Sequence, residues 1–233
     1  MGLPRLAGTI FAMGIAVLMS VSSWAQTAPD EVELAAYQGL HEAAAKGDLA
    51  ALKRLMDEGA NPNATDNHGR TPLMVAGYRR NAPAALLLIG GGANVNALDS
   101  EQYDLITIAA VADDLPMLRL AIREGGNTAQ VTSPYDGTAL IAAAHLGHVE
   151  IVKTLIAAKA PLDHINNLRW TALIESIVLG DGGARHVACL KALVDAGANV
   201  NIPDGNGVTP LSLARAAGYT DMVRLLEAVG AKP

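Results

Sequence analysis

A cassette of about 33 residues recurs six times along this 233-residue chain, and a chain that repeats one supersecondary unit buries its apolar faces by stacking each unit on the next. The first cassette runs from Leu40-His41-Glu42-Ala43-Ala44 to Gly59-Ala60-Asn61-Pro62-Asn63, and the second from Gly69-Arg70-Thr71-Pro72-Leu73 to Gly92-Ala93-Asn94-Val95-Asn96. A degenerate third spans Asp104 to Asp114 and ends at Gly125-Gly126-Asn127. The fourth runs from Gly137-Thr138-Ala139-Leu140 to Lys159-Ala160-Pro161, the fifth from Thr171-Ala172-Leu173 to Gly197-Ala198-Asn199-Val200-Asn201, and the sixth from Gly207-Val208-Thr209-Pro210-Leu211 to Gly230-Ala231. The anchors Thr71, Asp104, Thr138, Thr171 and Thr209 are 33, 34, 33 and 38 residues apart.

Within each cassette the residues dictate the local structure. Thr before Pro, as at Thr71-Pro72 and Thr209-Pro210, supplies a side-chain cap and a residue preset for the first helical position. Gly147 and Gly218 end those helices after about two turns. A second helix follows, with apolar residues at helical spacing such as Val149, Val152, Leu155 and Ile156. Gly-Ala-Asn-x-Asn then turns the chain into a hairpin-like loop. Each unit reads as loop, short helix, turn, longer helix.

Residues Thr138 to His148 nearly reproduce Thr-Pro-Leu-His-x-Ala-Ala-x-x-Gly-His, and on this motif the chain resembles the ankyrin-repeat family. The resemblance covers about residues 38–233. It implies an all-α solenoid of about six helix-turn-helix repeats with projecting hairpin loops, at approximately 36–66, 67–99, 100–133, 134–166, 167–204 and 205–233, within one domain over 26–233. The implied activity is non-catalytic protein binding, with no cofactor and no metal. In proteins like this the loops and the two residues before the inter-helix Gly line a concave face. Aromatic residues and Arg are enriched at binding hot spots, so Arg70, Tyr78, Arg79, Tyr103, Tyr135, His145 and Trp170 are the candidate protein-binding residues. The alternative is that each packs on its neighbouring hairpin.

The amino end is a separate matter. Arg5 precedes an apolar run from Leu6 to Met19, and Ser23-Trp24-Ala25 places small residues before a cut, so residues 1–25 read as a secretory signal peptide cleaved after Ala25. An uncleaved membrane anchor is the alternative, but the run is short for a bilayer span. Removing Arg5 from 17 basic residues against 23 acidic ones leaves the mature chain at net minus seven. The expected product is periplasmic, or else secreted, monomeric and not inserted in a membrane. Its acidity disfavours nucleic acid, whose binding depends on neutralising phosphates.

Departures from the pattern and candidate chemistry complete the reading. Repeat three begins Asp104-Leu105-Ile106-Thr107, repeat two has Arg80-Asn81 at its helix turn, and repeat five carries about five extra residues within 180–186, expected to lengthen a surface loop. Asp30 and Glu33 suggest a capping box ahead of the first repeat, and Arg215, Arg224 and Glu227 a solvated surface on the last. Cys189, the single cysteine, excludes an internal disulfide and reads as a small buried hydrophobe. His145 and His148 are separated by a helix-breaking Gly147, which argues against a metal pair, and His41 falls where the family's own His bonds across repeats. Gly90-Gly91-Gly92 follows a helix and lacks the Lys-Ser/Thr of a phosphate loop. The function classes that remain are a binder of a partner protein, scaffolding or protecting an envelope enzyme, and a host-directed effector or toxin-immunity-type protein.

Overall fold

The structure is a computed structural model and describes residues 27–233; the expected signal peptide at 1–25 lies outside the described residues. Among them are thirteen helices and no named strand. Helix α1 (Glu31–Ala36) is followed by pairs α2 (Gly39–Lys46) and α3 (Leu49–Asp57), α4 (Pro72–Tyr78) and α5 (Ala82–Gly90), and α6 (Leu105–Val111) and α7 (Leu115–Arg123). Then come α8 (Ala139–Leu146) and α9 (Val149–Ala157), α10 (Ala172–Val178) and α11 (Ala184–Asp195), and α12 (Pro210–Ala216) and α13 (Thr220–Ala228). First helices pack on first helices and second on second, so two parallel layers run the length of the array. The core between them is Leu, Ile, Val, Met and Ala, with Cys189 fully buried and its thiol pushed up to about 11 by burial.

The capping residues perform as their chemistry dictates. Thr71, Asp104, Thr138, Thr171 and Thr209 each accept the backbone N–H three residues on, as do Asp48, Asn81 and Asp114 on second helices. Gly147 closes α8 at φ 69°, a left-handed conformation that costs glycine little. The degenerate repeat is accommodated by its neighbour. Leu105 stands where the other repeats from the second onward have Pro or Ala, and its Cδ1 would lie 2.7 Å from a Cβ on Gly77. A side chain on Gly77 would have to be met by a shift of the Leu105 side chain.

Polar bonds tie successive layers. His41 Nε2 donates to the carbonyl of Arg70 at 2.9 Å, the cross-repeat bond the family resemblance implied. His148 Nδ1 donates to the Ala110 carbonyl, 2.9 Å away, satisfying a carbonyl in the last turn of α6. Repeat five does the same from a different place: His186 Nε2 donates at 2.9 Å to the carbonyl of His145, while Asp181 accepts from Gly183 N–H and faces His186 Nδ1 at 2.7 Å. The insertion therefore does more than lengthen a surface loop. Its Ala184 to His186 form the first turn of α11, and His186 is buried against repeat four.

A second set of bonds runs along the loops. Asn63 accepts from Asn94 N–H at 2.7 Å and donates to Gly92 O at 3.0 Å, and Asn96 repeats this on Asn127 N–H and Gly125 O at 2.7 and 3.2 Å. The ladder breaks between repeats three and four. Ala129 has no acceptor where Pro161 has no N–H to offer, and Thr128 Oγ1 supplies the remaining bond, to Ala158 O at 3.1 Å. It resumes where Asp163 accepts from Asn199 N–H and Asn201 from Lys232 N–H.

Candidate protein-binding face

Four of the projecting loops are tight turns opened by an Asx residue, and the loop before repeat four is instead closed by a Thr132–Gly137 bridge. Asp66, Asp99, Asn166 and Asp204 accept, through one side-chain oxygen, the N–H groups two and four residues on, the local bonding that suits Asn and Asp to turns. Neighbouring loops are joined by backbone bonds: Ser100 N–H to His68 O, Ser133 N–H to Gln102 O and Asn167 N–H to Tyr135 O. The loops from Asp66 to Trp170 thus form a hydrogen-bonded edge beside the first-helix layer.

The residue closing each loop, four after the Asx, is the position of Arg70, Tyr103 and Trp170. Arg70 and Tyr103 do not face solvent. Arg70 is 2% exposed. Its Nε donates to Asp66 Oδ2 and its Nη2 to Glu33 Oε1, both at 2.7 Å, and Tyr37 Oη donates to the same Asp66 oxygen at 2.7 Å. The expectation that Arg70 contacts a partner is therefore corrected: the guanidinium is consumed in holding the amino-terminal helix on the array. The capping box foreseen at Asp30 and Glu33 is present, with bonds of 2.8 and 2.9 Å, and Glu33 also lies 2.8 Å from His68 Nε2. The hydrogen bond from Arg70 holds the Glu33 carboxyl below its usual range. Burial pushes Asp66 up, but the hydrogen bonds from Tyr37, Arg70 and backbone N–H groups outweigh it and hold it low.

Tyr103 is 6% exposed, and burial pushes its hydroxyl up to about 12. Closing the loop with this side chain folded inward places the ring in the core edge, so Tyr103 too leaves the candidate surface. Tyr78, Tyr135, His145 and Trp170 are half-buried, and Arg79 is exposed. These five remain candidates. Val178 and Leu179, at the end of α10, add exposed apolar surface.

Residues that sequence reasoning passed over are also there. Glu175 is 2% exposed. Its Oε1 accepts from Asn166 Nδ2 at 2.9 Å, and Asn166 Oδ1 in turn accepts the backbone N–H of Trp170 at 2.9 Å. Its Oε2 lies 3.4 Å from His145 Nδ1. A signal was available, because four residues after the cap the other repeats from the second onward carry Val75, Ile108, Ala142 and Leu213. Near Tyr78, Asp99 has its carboxyl raised by burial, and burial also raises the Tyr78 hydroxyl well above its ordinary value.

Among the described residues, two buried side-chain polar atoms make no hydrogen bond within the protein: Tyr78 Oη and Glu175 Oε2. They occupy positions seven and four after their helix caps, offsets three apart that share one helix face. No three His, Cys, Asp or Glu side chains among the described residues converge as a metal site would require, and no described helix is long and apolar enough to cross a membrane.

Models of ankyrin repeats match residues 40–131, 105–204 and 183–227. The putative ankyrin repeat protein YahD of Escherichia coli K12 is 34% identical over 190 residues, which is 81% of this chain and 94% of that protein. A solved ankyrin repeat domain from Acinetobacter baumannii AYE is 44% identical with a TM-score of 0.80, covering 83% of this chain and 98% of that one. A chain from the structure of a predatory endopeptidase of Bdellovibrio bacteriovorus in complex with an immunity protein is 25% identical with a TM-score of 0.70, covering 82% of this chain and 98% of that one.

Proposed function

This chain belongs to the ankyrin-repeat family, and from that premise we propose that it binds another folded protein across its concave, loop-bearing face, centred on Arg79, Tyr135, His145 and Trp170. The observation that supports the reading is that two buried polar atoms of first helices, Tyr78 Oη of α4 and Glu175 Oε2 of α10, make no hydrogen bond within the protein. A buried polar group without a partner costs about 1–3 kcal/mol, and a binding surface is where such a cost is recovered when a partner docks. The half-buried rings and exposed Val178 and Leu179 supply the apolar area around them.

The reading includes export. The leader at 1–25 supports an envelope address, and the partner is then an envelope protein that the array scaffolds or protects. A second reading, in which the same face neutralises a hydrolytic enzyme, is favoured by the likeness to a chain from the endopeptidase–immunity protein complex. Photo-crosslinking in the native host tests the face. A photoreactive residue at position 79 or 178 should yield one partner adduct, and the same residue at Lys53 or Lys191 on the second-helix layer should yield none. Adducts from the second-helix layer alone, or from neither, would refute the assignment. The mass of the adduct separates the two readings, because a hydrolase and a structural envelope protein are distinguished by peptide sequencing.

A further inference from the structure

We propose that Glu175 is the selector of this face and takes a lysine or arginine side chain of the bound protein. This rests on the reading of the concave side as the binding surface and adds the chemistry it selects. Burying a carboxylate is expensive unless its charge is compensated. The other repeats from the second onward avoid that penalty with Val75, Ile108, Ala142 and Leu213, so the first-helix layer has no structural need of an acid here. The carboxylate is also aimed. Asn166, pinned by accepting N–H bonds from Leu168 and Trp170 at 3.1 and 2.9 Å, holds Oε1 at 2.9 Å and leaves Oε2 with no hydrogen bond in the protein.

An ionised carboxylate only accepts hydrogen bonds, so its complement is a donor, and a cationic donor makes the stronger, charge-assisted bond. The group facing Oε2 is His145 Nδ1, 3.4 Å away on a side chain that is 28% exposed. A partner's ammonium or guanidinium competes with that imidazole for the same oxygen. Trp170 is half-buried and its backbone N–H is bonded to the same Asn166, so its ring is a reporter for a cation bound at this carboxylate. The chain's net charge of −6 draws basic partner surfaces toward it.

The test uses N-acetyl-arginine methylamide as the probe and its uncharged isostere, N-acetyl-citrulline methylamide, as the control. Both are titrated into the protein recovered in its native processed form, and the ring resonances of His145 and Trp170 are followed by NMR. Arginine should give a saturable shift of both rings, and citrulline none. Glu175→Gln, which keeps an oxygen for Asn166, should weaken the arginine response about tenfold or more with its thermal midpoint within a few degrees of wild type. His145→Ala removes the competitor and should tighten the response.

Equal responses to the two probes, no response to either, an unchanged affinity in Glu175→Gln, or a weaker one in His145→Ala would each overturn the assignment. So would a collapse of the Glu175→Gln midpoint, since that makes the carboxylate a structural element. Partner adducts at positions 79 and 178 that persist in Glu175→Gln discard this inference alone. Loss of those adducts in the wild-type protein discards the binding face itself.

Discussion

Replacing Arg70 by Ala separates the structural role of this residue from the contact role that its loop position suggests. The side chain is 2% exposed and donates at 2.7 Å to both Asp66 and Glu33, with a longer bond of 3.4 Å to Thr27 O. Removing the guanidinium leaves Asp66, whose side chain is 10% exposed, with only Tyr37 and backbone N–H groups against its charge. Deleting one partner of a fully buried pair costs about 3–5 kcal/mol. Glu33 is 26% exposed and can rehydrate, so its share is smaller, near the surface-pair range of about 0–1 kcal/mol. The expected loss is therefore about 2–4 kcal/mol, read as a fall in the urea midpoint. Hydrogen exchange should show that residues 31–46 lose protection before the other repeats, because α1 is held through Glu33 and Thr27. Adding Asp66→Asn to Arg70→Ala removes the orphaned charge and should recover about 1 kcal/mol in a double-mutant cycle. An Arg70→Ala protein as stable as wild type that nevertheless loses its partner adduct would refute this reasoning and return Arg70 to the contact surface.

The loop ladder makes a second test. Asn63→Ala or Asn96→Ala removes two hydrogen bonds between adjacent repeats and should lower stability by about 1–2 kcal/mol, whereas Ala129→Asn should change stability in urea unfolding by less than about 0.5 kcal/mol, since Pro161 offers no N–H and Thr128 already serves Ala158 O. A gain from Ala129→Asn matching the loss from Asn96→Ala would show that the break has another cause. Acid should act on the two ends of the amino-terminal half with opposite sign. Glu33 and Asp66 are held low in the folded protein, so their stabilisation is present above the ordinary carboxylate range near about pH 4 and is lost as pH falls through their lowered values. Asp99 and Asp104 are raised by burial, so folding is penalised above that range and the penalty lifts as pH falls through their raised values. Hydrogen exchange should show repeat three gaining protection between neutral pH and about pH 4, and α1 losing it only below. Loss at repeat three before α1 would contradict the assigned shifts.

Periodicity alone revealed the repeat, its helices and their caps, because Thr or Asp caps, Pro at the first helical position and left-handed Gly act on the residues beside them. The capping box at Asp30 and Glu33, the cross-repeat bond of His41 and the burial of Cys189 were legible for the same reason: each is fixed by local bonding or by a position inside a repeated pattern. The third repeat was legible only as a departure. That the Leu105 side chain packs over Gly77 is a relation between residues in different repeats, which no single cassette records.

The candidate face divides along the same line. Arg70, Tyr103 and Trp170 occupy one position in three loops, and their sequence setting is alike. Arg70 is buried because α1 brings Glu33 beside Asp66, Tyr103 because its ring folds into the layer edge, and Trp170 remains half-buried. The extra residues of repeat five looked like loop, yet stacking carried His186 to the carbonyl of His145. Glu175 was visible as an acid in an apolar column, but its significance needed Asn166 and His145 around it. A one-dimensional pattern specifies bonds within a few residues and which side of a helix is apolar. Which polar atoms are matched across layers, and which are left over for a partner, is settled only when the layers stack, because those distances are set by residues some thirty positions away in the chain.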